Sequence, residues 1–171
     1  MPSSQLLFFH FLSQNRPEMY TSSMGNQLKL SAMQISRAVR QLEALGLVSV
    51  RKDGVRITIS AAASNRDMFK MAKPYMISPV RKRIYAEIGA IPAGLPRSGF
   101  CALSERTMLN PGAVKTYAYF GKNNDLTGSE TLIDSDFQAE VELWRYCPTI
   151  LSERPDSVDS LSLIASIFTE N

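Results

Sequence analysis

A stripe of apolar residues with helical spacing lies between a helix-start residue and a helix-stop residue in the first third of the chain. Ile35, Val39 and Leu42 recur at the i, i+4, i+7 spacing that puts side chains on one face of an α-helix. The hydroxyl of Ser31 can cap the first turn, and Gly46 is the residue type favoured just beyond a helix end. The segment between them is therefore predicted to be an amphipathic helix packed on a core.

The opposite face of this predicted helix is polar and has no acid among its side chains. Its members are Met33, Gln34, Ser36, Arg37, Arg40 and Gln41. Arginine can bond bidentately to guanine and glutamine to adenine in the major groove of DNA. The face therefore suits base recognition, and the solvated face of an ordinary core helix is the alternative interpretation.

A β-hairpin is predicted directly after this helix. Residues 47–50 and 55–59 both alternate, with β-branched side chains on one side. Asp53-Gly54 is a strong signal for a two-residue turn of type I′. Three basic residues cluster near the tip, namely Arg51, Lys52 and Arg56. These cations suit phosphate contacts, although basic side chains also keep exposed strand edges soluble.

The sequence thus predicts a helix at 21–28, a turn at 29–30, a second helix at 31–45 and a hairpin at 47–60. This succession is typical of a winged helix-turn-helix, which presents its second helix and its hairpin to one DNA duplex. We therefore predict double-stranded DNA as a partner, with the first-turn amides of the second helix holding a phosphate. The candidate DNA-binding residues are Ser31, Gln34, Ser36, Arg37, Arg40, Gln41, Arg51, Lys52 and Arg56.

Charge is distributed unevenly along the chain. Residues 1–75 contain ten Lys and Arg against four Asp and Glu, a net charge of +6, whereas residues 76–171 contain nine against twelve, a net charge of −3. Pro74 and Pro79 separate a predicted connecting helix at 65–73 from the acidic half. We therefore predict a basic DNA-binding domain over 1–75 and a partner or effector domain over 76–171.

The acidic half mixes strand and helix patterns. Strands are predicted at 83–88, 116–120 and 139–146, helices at 98–109 and 160–168, and a polar turn at 122–129. In the first of these helices Phe100 and Leu103 are expected to face inward. The predicted fold class is α/β (α+β), with an N-terminal winged helix-turn-helix followed by a small mixed α/β domain.

The first part of the chain resembles MarR-type and related bacterial winged-helix regulators over residues 5–60. The likeness is carried by Leu30-Ser31, Ile35-Ser36-Arg37, Leu42-Glu43, Leu45-Gly46-Leu47-Val48 and the Asp53-Gly54 hairpin. The resemblance implies a DNA-binding transcriptional regulator. After the hairpin the chain departs from that family, because it has no long apolar helix of the kind with which those proteins dimerise.

The second part is similar to the C-terminal region of antitoxins of type IV abortive-infection systems (AbiEi-like). The likeness is carried by residues 78–83, Leu95-Pro96, residues 98–104, Thr107-Met108-Leu109 and Thr116-Tyr117-Ala118. It implies a repressor of its own operon with a cognate toxin of the nucleotidyltransferase type as a partner. The segment from Trp144 to Leu163 has no counterpart in that family.

Catalysis is not expected. The lone histidine, His10, lies in the apolar first helix, and Cys101 and Cys147 are too far apart for a zinc site of usual spacing. The acidic residues Asp134, Asp136, Glu140 and Glu142 favour a solvated strand edge, and a Mg²⁺-dependent nuclease or transferase is the weaker alternative. We therefore predict no enzyme activity and no cofactor. Free thiols and the absence of any apolar run of roughly 20 residues favour a cytoplasmic protein without a membrane span.

Assembly is expected because a single module of this kind covers little DNA. Two apolar helices are candidates for contact with a second copy or with a toxin. The first spans 4–14 and carries Leu6, Leu7, Phe8, Phe9 and Phe11, and the last carries a stripe of Leu161, Ile164 and Phe168, widened by Leu163 and Ile167. Packing of the last helix on the 139–146 strand is the alternative. A module that docks protein rather than DNA is the alternative for the chain as a whole.

Overall fold

The computed structural model of the chain describes residues 1–121 and 126–169. It divides into two compact units, Met1–Ile77 and Ser78–Asn171. Over the described residues the fold is mixed α/β, with six α-helices and two three-stranded sheets. None of the helices in this described part has the length and apolar character that crossing a membrane requires.

The first unit contains four helices and one sheet. Its elements are α1 (Pro2–Gln14), β1 (Glu18–Tyr20), α2 (Thr21–Leu28), α3 (Ala32–Ala44), β2 (Val48–Asp53), β3 (Arg56–Ala61) and α4 (Asn65–Ala72). The sheet is antiparallel, with strand order β1-β3-β2. The predicted helices and hairpin are present, and β1 is an additional strand that the sequence pattern does not indicate.

Helix α1 forms the centre of this unit's core. Five of its large apolar side chains are each at most 2% exposed, namely Leu6, Leu7, Phe8, Phe9 and Phe11. A helix that is apolar on all sides is normally enclosed, and burying one such side chain stabilises a fold by about 1.5–3 kcal/mol. The expectation that this helix is available to a second copy is therefore wrong, because its own unit covers it.

The hairpin turn lies one residue later than predicted. Asp53 pairs with Arg56 in the β2–β3 register, so the two loop residues are Gly54 and Val55. Gly54 has a φ of +57°, whereas Val55 keeps a negative φ. Positive φ at the first loop residue alone is the pattern of a type II′ turn. The prediction of an Asp53-Gly54 turn of type I′ is therefore wrong, because Asp53 is the last residue of the ladder.

The second unit is built on a mixed sheet. Its elements are β4 (Val80–Glu87), α5 (Gly99–Ser104), β5 (Thr116–Tyr119), β6 (Gln138–Trp144) and α6 (Ser160–Phe168). The strand order is β4-β6-β5, with β4 antiparallel and β5 parallel to β6. A cluster of Ile84, Ala86, Val141 and Leu143 forms the core on this sheet. Of the polar turn predicted at 122–129, residues 122–125 lie outside the described residues.

Helix α5 is shorter than the predicted helix at 98–109, and of the two predicted inward residues only Leu103 is partly buried. Cys101 and Ala102 are buried, whereas Phe100 is 60% exposed, so its prediction as an inward residue is wrong. The helix ends because the Arg106 amide bonds to the Leu103 carbonyl at 3.0 Å, which tightens the last turn. The Arg106 guanidinium also donates to the carbonyls of Ala102 and Val158, at 2.7 and 2.6 Å.

Helix α6 has the predicted bounds but a different buried face. The residues it buries are Ser162, Leu163, Ala165 and Ser166. The hydroxyls of Tyr146 and Ser162 are hydrogen-bonded at 2.9 Å, which holds this face against the core. Leu161 and Ile164 are half-buried, and Phe168 is 69% exposed. The predicted apolar stripe is therefore on the more exposed side of the helix.

Candidate nucleic-acid interface

Helix α3 begins with a closed pair of capping bonds. The Ser31 hydroxyl accepts a hydrogen bond from the Gln34 amide at 3.3 Å. In return the Gln34 side-chain oxygen accepts from the Ser31 backbone N–H at 2.9 Å and from its hydroxyl at 3.0 Å. A capping box of this kind stabilises a helix by about 1 kcal/mol. Both side chains are exposed, but each is already bonded to the other.

The exposed face of α3 is centred on Met33, Arg37 and Arg40. Met33 is 62% exposed. Neither arginine forms an ion pair with any residue in the described parts of the chain. The apolar stripe of Ile35, Ala38, Val39 and Leu42 is buried on the other side, as its spacing predicts. The helix therefore presents one thioether and two guanidinium groups to solvent, and near its end the carboxylate of Glu43.

Gln41 lies apart from these groups. Its side-chain oxygen accepts a hydrogen bond from the Ser4 hydroxyl at 2.6 Å and from the amino group of Met1 at 3.4 Å. The side chain is half-buried at this contact. Gln41 therefore joins α3 to α1, although the sequence pattern groups it with the exposed polar face.

A groove of about 370 Å³ runs between α2, α3 and the β2–β3 hairpin. Its apolar lining consists of Leu30, Ala32, Ile35, Val39, Val50 and Ile57, and its polar lining includes Ser22, Asn26, Ser36, Arg40, Glu43 and Lys52. Three predicted site residues meet here, since Ser36 and Arg40 come from α3 and Lys52 comes from β2. Glu43 is the one acid among the residues that line the groove.

The three basic residues of the hairpin are divided between the two faces of the sheet. Lys52 pairs with Ile57 in the register and lies on the groove side with it. Arg51 precedes Lys52 in β2, so its side chain points to the opposite face of the sheet. Arg56 pairs directly with Asp53, which also neighbours Lys52 in β2, so Arg56 lies on the same face as Arg51.

Arg51 differs from the other two in having a partner, because its guanidinium lies 3.4 Å from the Glu18 carboxylate. Both side chains of this pair are more than half exposed, and exposed pairs contribute only about 0–1 kcal/mol. Lys52 and Arg56 form no ion pair with a described residue. We call Arg37, Arg40, Lys52 and Arg56 the free cations. Arg40 and Lys52 both line the groove, whereas Arg56 lies on the opposite face of the hairpin.

Sequence patterns do not reveal the part that α2 plays at the groove. Ser22 and Asn26 line it, but α2 has no charged residue that would attract notice. A weak signal is Gly25, where a Cβ would lie 3.2 Å from the Ile35 side chain. Glycine at this position lets α2 approach α3 closely, which places the polar side of α2 beside the groove.

The carboxylate of Glu142 is bonded on several sides within the second unit. Glu142 is 1% exposed in the central strand, where Arg83 donates to its carboxylate at 3.1 and 3.3 Å. The Trp144 indole N–H donates to it at 3.1 Å, and the Ser98 hydroxyl bonds to it as well. A solvated strand edge is therefore the wrong description of this glutamate, because β6 lies between β4 and β5.

The other carboxylates of this group do not assemble a site. Glu140 lies 3.3 Å from Arg83 and accepts a bond from the Thr116 hydroxyl at 3.2 Å. Asp134 accepts a hydrogen bond from the amide of Asp136 at 2.9 Å, within an exposed loop. In the described parts of the chain, no group of three or more His, Cys, Asp and Glu residues is arranged to hold a metal ion.

His10 is buried in α1 at 6% exposure. Burial lowers the pKa of its imidazole below the ordinary value, and a hydrogen bond with the Gln27 side chain offsets part of this effect. Within the described residues the Nε2 atom has no hydrogen-bond partner. The surroundings of His10 therefore favour a neutral side chain with a structural role.

Comparison with known proteins gives no relative from which a function can be transferred. A scan against models of protein families, a search of curated proteins and a search of solved structures each found no match to this chain. The geometry of the groove and the positions of the free cations are therefore the basis for assigning a role.

Proposed function

We propose that this chain is a sequence-specific, double-stranded DNA-binding transcriptional regulator that acts in the cytoplasm. In this proposal the first unit is a winged helix-turn-helix, with α2 and α3 as the two helices and the β2–β3 hairpin as the wing. The observation that carries the proposal is that the free cations, on α3 and on the two strands of the hairpin, form no ion pair with a described residue, and that two of them, Arg40 and Lys52, meet at the groove.

The order and spacing of the elements support the proposal. Lys29 has a left-handed backbone with a φ of +53°, which turns the chain sharply between α2 and α3. The hairpin starts at Val48, soon after α3 ends at Ala44. A short turn between two helices, followed at once by a basic hairpin, is the arrangement in which a recognition helix and a wing can meet one duplex.

The charges support it on energetic grounds. A cation that has no acidic partner in the protein can neutralise a phosphate and release a bound counterion, which gives affinity that depends on salt but not on sequence. The first 75 residues carry a net charge of +6, so long-range attraction to a polyanion adds to the local contacts.

The proposal gives the predicted residues different roles. Arg37 is the sixth of the thirteen residues of α3 and lies on its exposed face, in the N-terminal half with which recognition helices contact base edges. Its guanidinium can bond bidentately to guanine. Arg40, Lys52 and Arg56 contact phosphates, and Ser36 and Asn26 at the groove add hydrogen bonds to the same backbone. Ser31 and Gln34 shape the helix start, whereas Gln41 secures α3 to α1.

We propose a binding role rather than a catalytic one for the second unit. Support comes from Glu142, whose carboxylate is taken up by three side chains of its own unit. The partner that we propose is a second copy of the chain or a cognate toxin. The feature that favours a partner surface is the apolar side of α6, where Phe168 is exposed and Leu161 and Ile164 are half-buried. That the chain is an antitoxin that represses its own operon stays a prediction, which rests on the resemblance of its second part to antitoxins of type IV abortive-infection systems.

A salt titration tests the proposal. Binding of the full chain to a random-sequence duplex, followed by fluorescence anisotropy, is expected to weaken steeply with salt. With three phosphate contacts, those of Arg40, Lys52 and Arg56, the slope of log K against log salt is about −2.7. Absence of duplex binding at low salt would refute DNA binding and favour the module that docks protein.

A charge-matched pair of variants makes the titration specific. Removing Lys52 and Arg56 together should make the slope shallower by about two units. The control removes Arg81 and Lys82, two exposed cations of the second unit, and should leave the slope unchanged. Equal effects of the two double variants would show that net charge, rather than the hairpin, attracts DNA.

A further inference from the structure

Helix α3 exposes an apolar side chain at the position where a base reader is expected. Met33 is the second residue of the helix and is 62% exposed. In helix-turn-helix proteins the N-terminal residues of the second helix contact base edges. A flexible thioether at this place has no hydrogen-bonding group strong enough to distinguish most base edges.

The neighbouring polar side chains are bonded within the protein. The Gln34 side-chain oxygen accepts two hydrogen bonds from Ser31, at 2.9 and 3.0 Å. Adenine recognition by glutamine needs that oxygen as the acceptor from the base amino group. Gln34 would have to break the helix cap to take this role, so Met33 and Arg37 are the two larger side chains left at the start of the exposed face.

Thymine is the base whose major-groove edge offers an apolar group, its C5-methyl. We infer that Met33 recognises this methyl group and thereby makes thymine, beside a guanine held by Arg37, the preferred base at its contact. The inference deepens the proposed function and rests on it. It replaces the adenine preference that a free Gln34 would give.

The spacing of the two residues limits where the thymine can lie. Met33 and Arg37 are four residues apart and share one helix face. Their Cα atoms are separated by about 6 Å along the helix axis. Successive bases of a strand are about 3.4 Å apart along the duplex. The thymine is therefore expected within two base pairs of the guanine.

The test begins with the preferred duplex of the full chain, selected from a random library. Each thymine close to the conserved guanine is then replaced by deoxyuridine, which removes the methyl group and changes nothing else in the pairing. For wild type, one of these replacements should weaken binding about fourfold, the factor that corresponds to about 0.8 kcal/mol for one buried methyl group.

Variants then assign the effect to Met33. Met33→Ala should bind the thymine and deoxyuridine duplexes equally, because the contact is absent in both complexes. Met33→Leu should keep most of the difference, since it retains an apolar contact. Met108→Ala is the matched control, because Met108 is a fully exposed methionine of the second unit, and it should keep the whole fourfold difference.

The outcomes separate this inference from the function on which it rests. If no sequence is enriched, sequence-specific binding fails and the inference fails with it. If a sequence is enriched but contains no thymine within two base pairs of the guanine, only the inference is overturned. The inference alone is also overturned if the deoxyuridine replacement lowers the affinity of Met33→Ala for the duplex as much as it lowers that of wild type.

Discussion

Ser31 and Gln34 close the first turn of α3 by bonding to each other through both backbone and side-chain groups, at 2.9 to 3.3 Å. The pair satisfies two of the amides that every helix start leaves without a partner. It also fixes where α3 begins, and so fixes the direction in which Met33 and Arg37 point. Helix stability and base recognition are therefore connected at this position.

Gln34→Ala is expected to act on stability rather than on base preference. Loss of one half of the capping box should lower the free energy of unfolding by about 0.5–1 kcal/mol. Urea unfolding measures this change, and binding to preferred and random duplexes should weaken by the same factor. Gln34→Glu is the control for the unfolding measurement only, because its carboxylate can close the same box while its charge would itself weaken DNA binding. A loss confined to the preferred duplex would show that Gln34 contacts a base after all.

Arg37→Ala is expected to act on base preference. The variant should lose about 1–3 kcal/mol of binding free energy on the preferred duplex and much less on a random one, because a bidentate contact to guanine carries sequence information. Anisotropy titrations of both duplexes measure the two losses. Arg40→Ala, one turn further along α3, should weaken both about equally. If Arg37→Ala also weakens both equally, Arg37 contacts the backbone only.

Substitutions of the three basic residues of the hairpin should have different effects on DNA binding. Lys52→Ala and Arg56→Ala are each expected to reduce the slope of log K against log salt by about one unit, because each removes one phosphate contact. Arg51 is already paired with Glu18, so Glu18→Gln should strengthen DNA binding by releasing it, whereas Arg51→Ala weakens binding. An unchanged salt slope in Lys52→Ala and Arg56→Ala would rule out the hairpin as a phosphate contact.

The features of α3 that the sequence predicts depend on residues close together in the chain. The cap, the apolar stripe and the length of α3 depend on side chains within one helix, so Ser31 and the buried face of Ile35, Val39 and Leu42 are identifiable from spacing alone. The exposure of Arg37 follows from the same periodicity.

Other features depend on contacts between distant residues. Strand β1 exists because Glu18 to Tyr20 pair with β3, which lies forty residues further along the chain. The helical spacing assigns Gln41 to the exposed polar face. Its side chain bonds instead to Ser4, a contact that depends on how α1 packs on α3 and cannot be read from the sequence of α3 alone. Glu142 looks like a surface residue in sequence, because the groups that bond to its carboxylate come from three different segments.

The stability of the fold should fall on mild acidification because of His10. Burial holds the pKa of its imidazole below the ordinary value of 6.5, so the unfolded chain binds the proton more readily than the folded one. The free energy of unfolding should therefore decrease as the pH falls below about 6.5, and the decrease should level off once the folded chain also binds the proton. Urea unfolding at several pH values measures the loss.

His10→Gln isolates this contribution, because it keeps a polar side chain and removes the titration. The difference in unfolding free energy between wild type and variant should depend on pH in this range, with wild type losing more on acidification. Parallel curves for the two proteins would show that another group is responsible for any acid sensitivity.

The last prediction concerns assembly through α6. Leu161 and Ile164 are half-buried and Phe168 is 69% exposed, although all three are apolar. Winged-helix modules gain specificity by pairing on half-sites about 34 Å apart, and α1 is enclosed in its own core. We therefore expect a dimer with twice the 19.0 kDa mass of one chain.

Light scattering on the full chain measures that mass, and a Leu161→Glu, Phe168→Glu variant should halve it by placing charges on the apolar side of α6. Ser160→Glu is the control, because Ser160 is an exposed residue of the same helix and should leave the mass unchanged. Circular dichroism shows whether each variant is folded. A folded double variant with the mass of wild type would contradict self-association through α6, and a monomeric wild type would contradict self-association altogether.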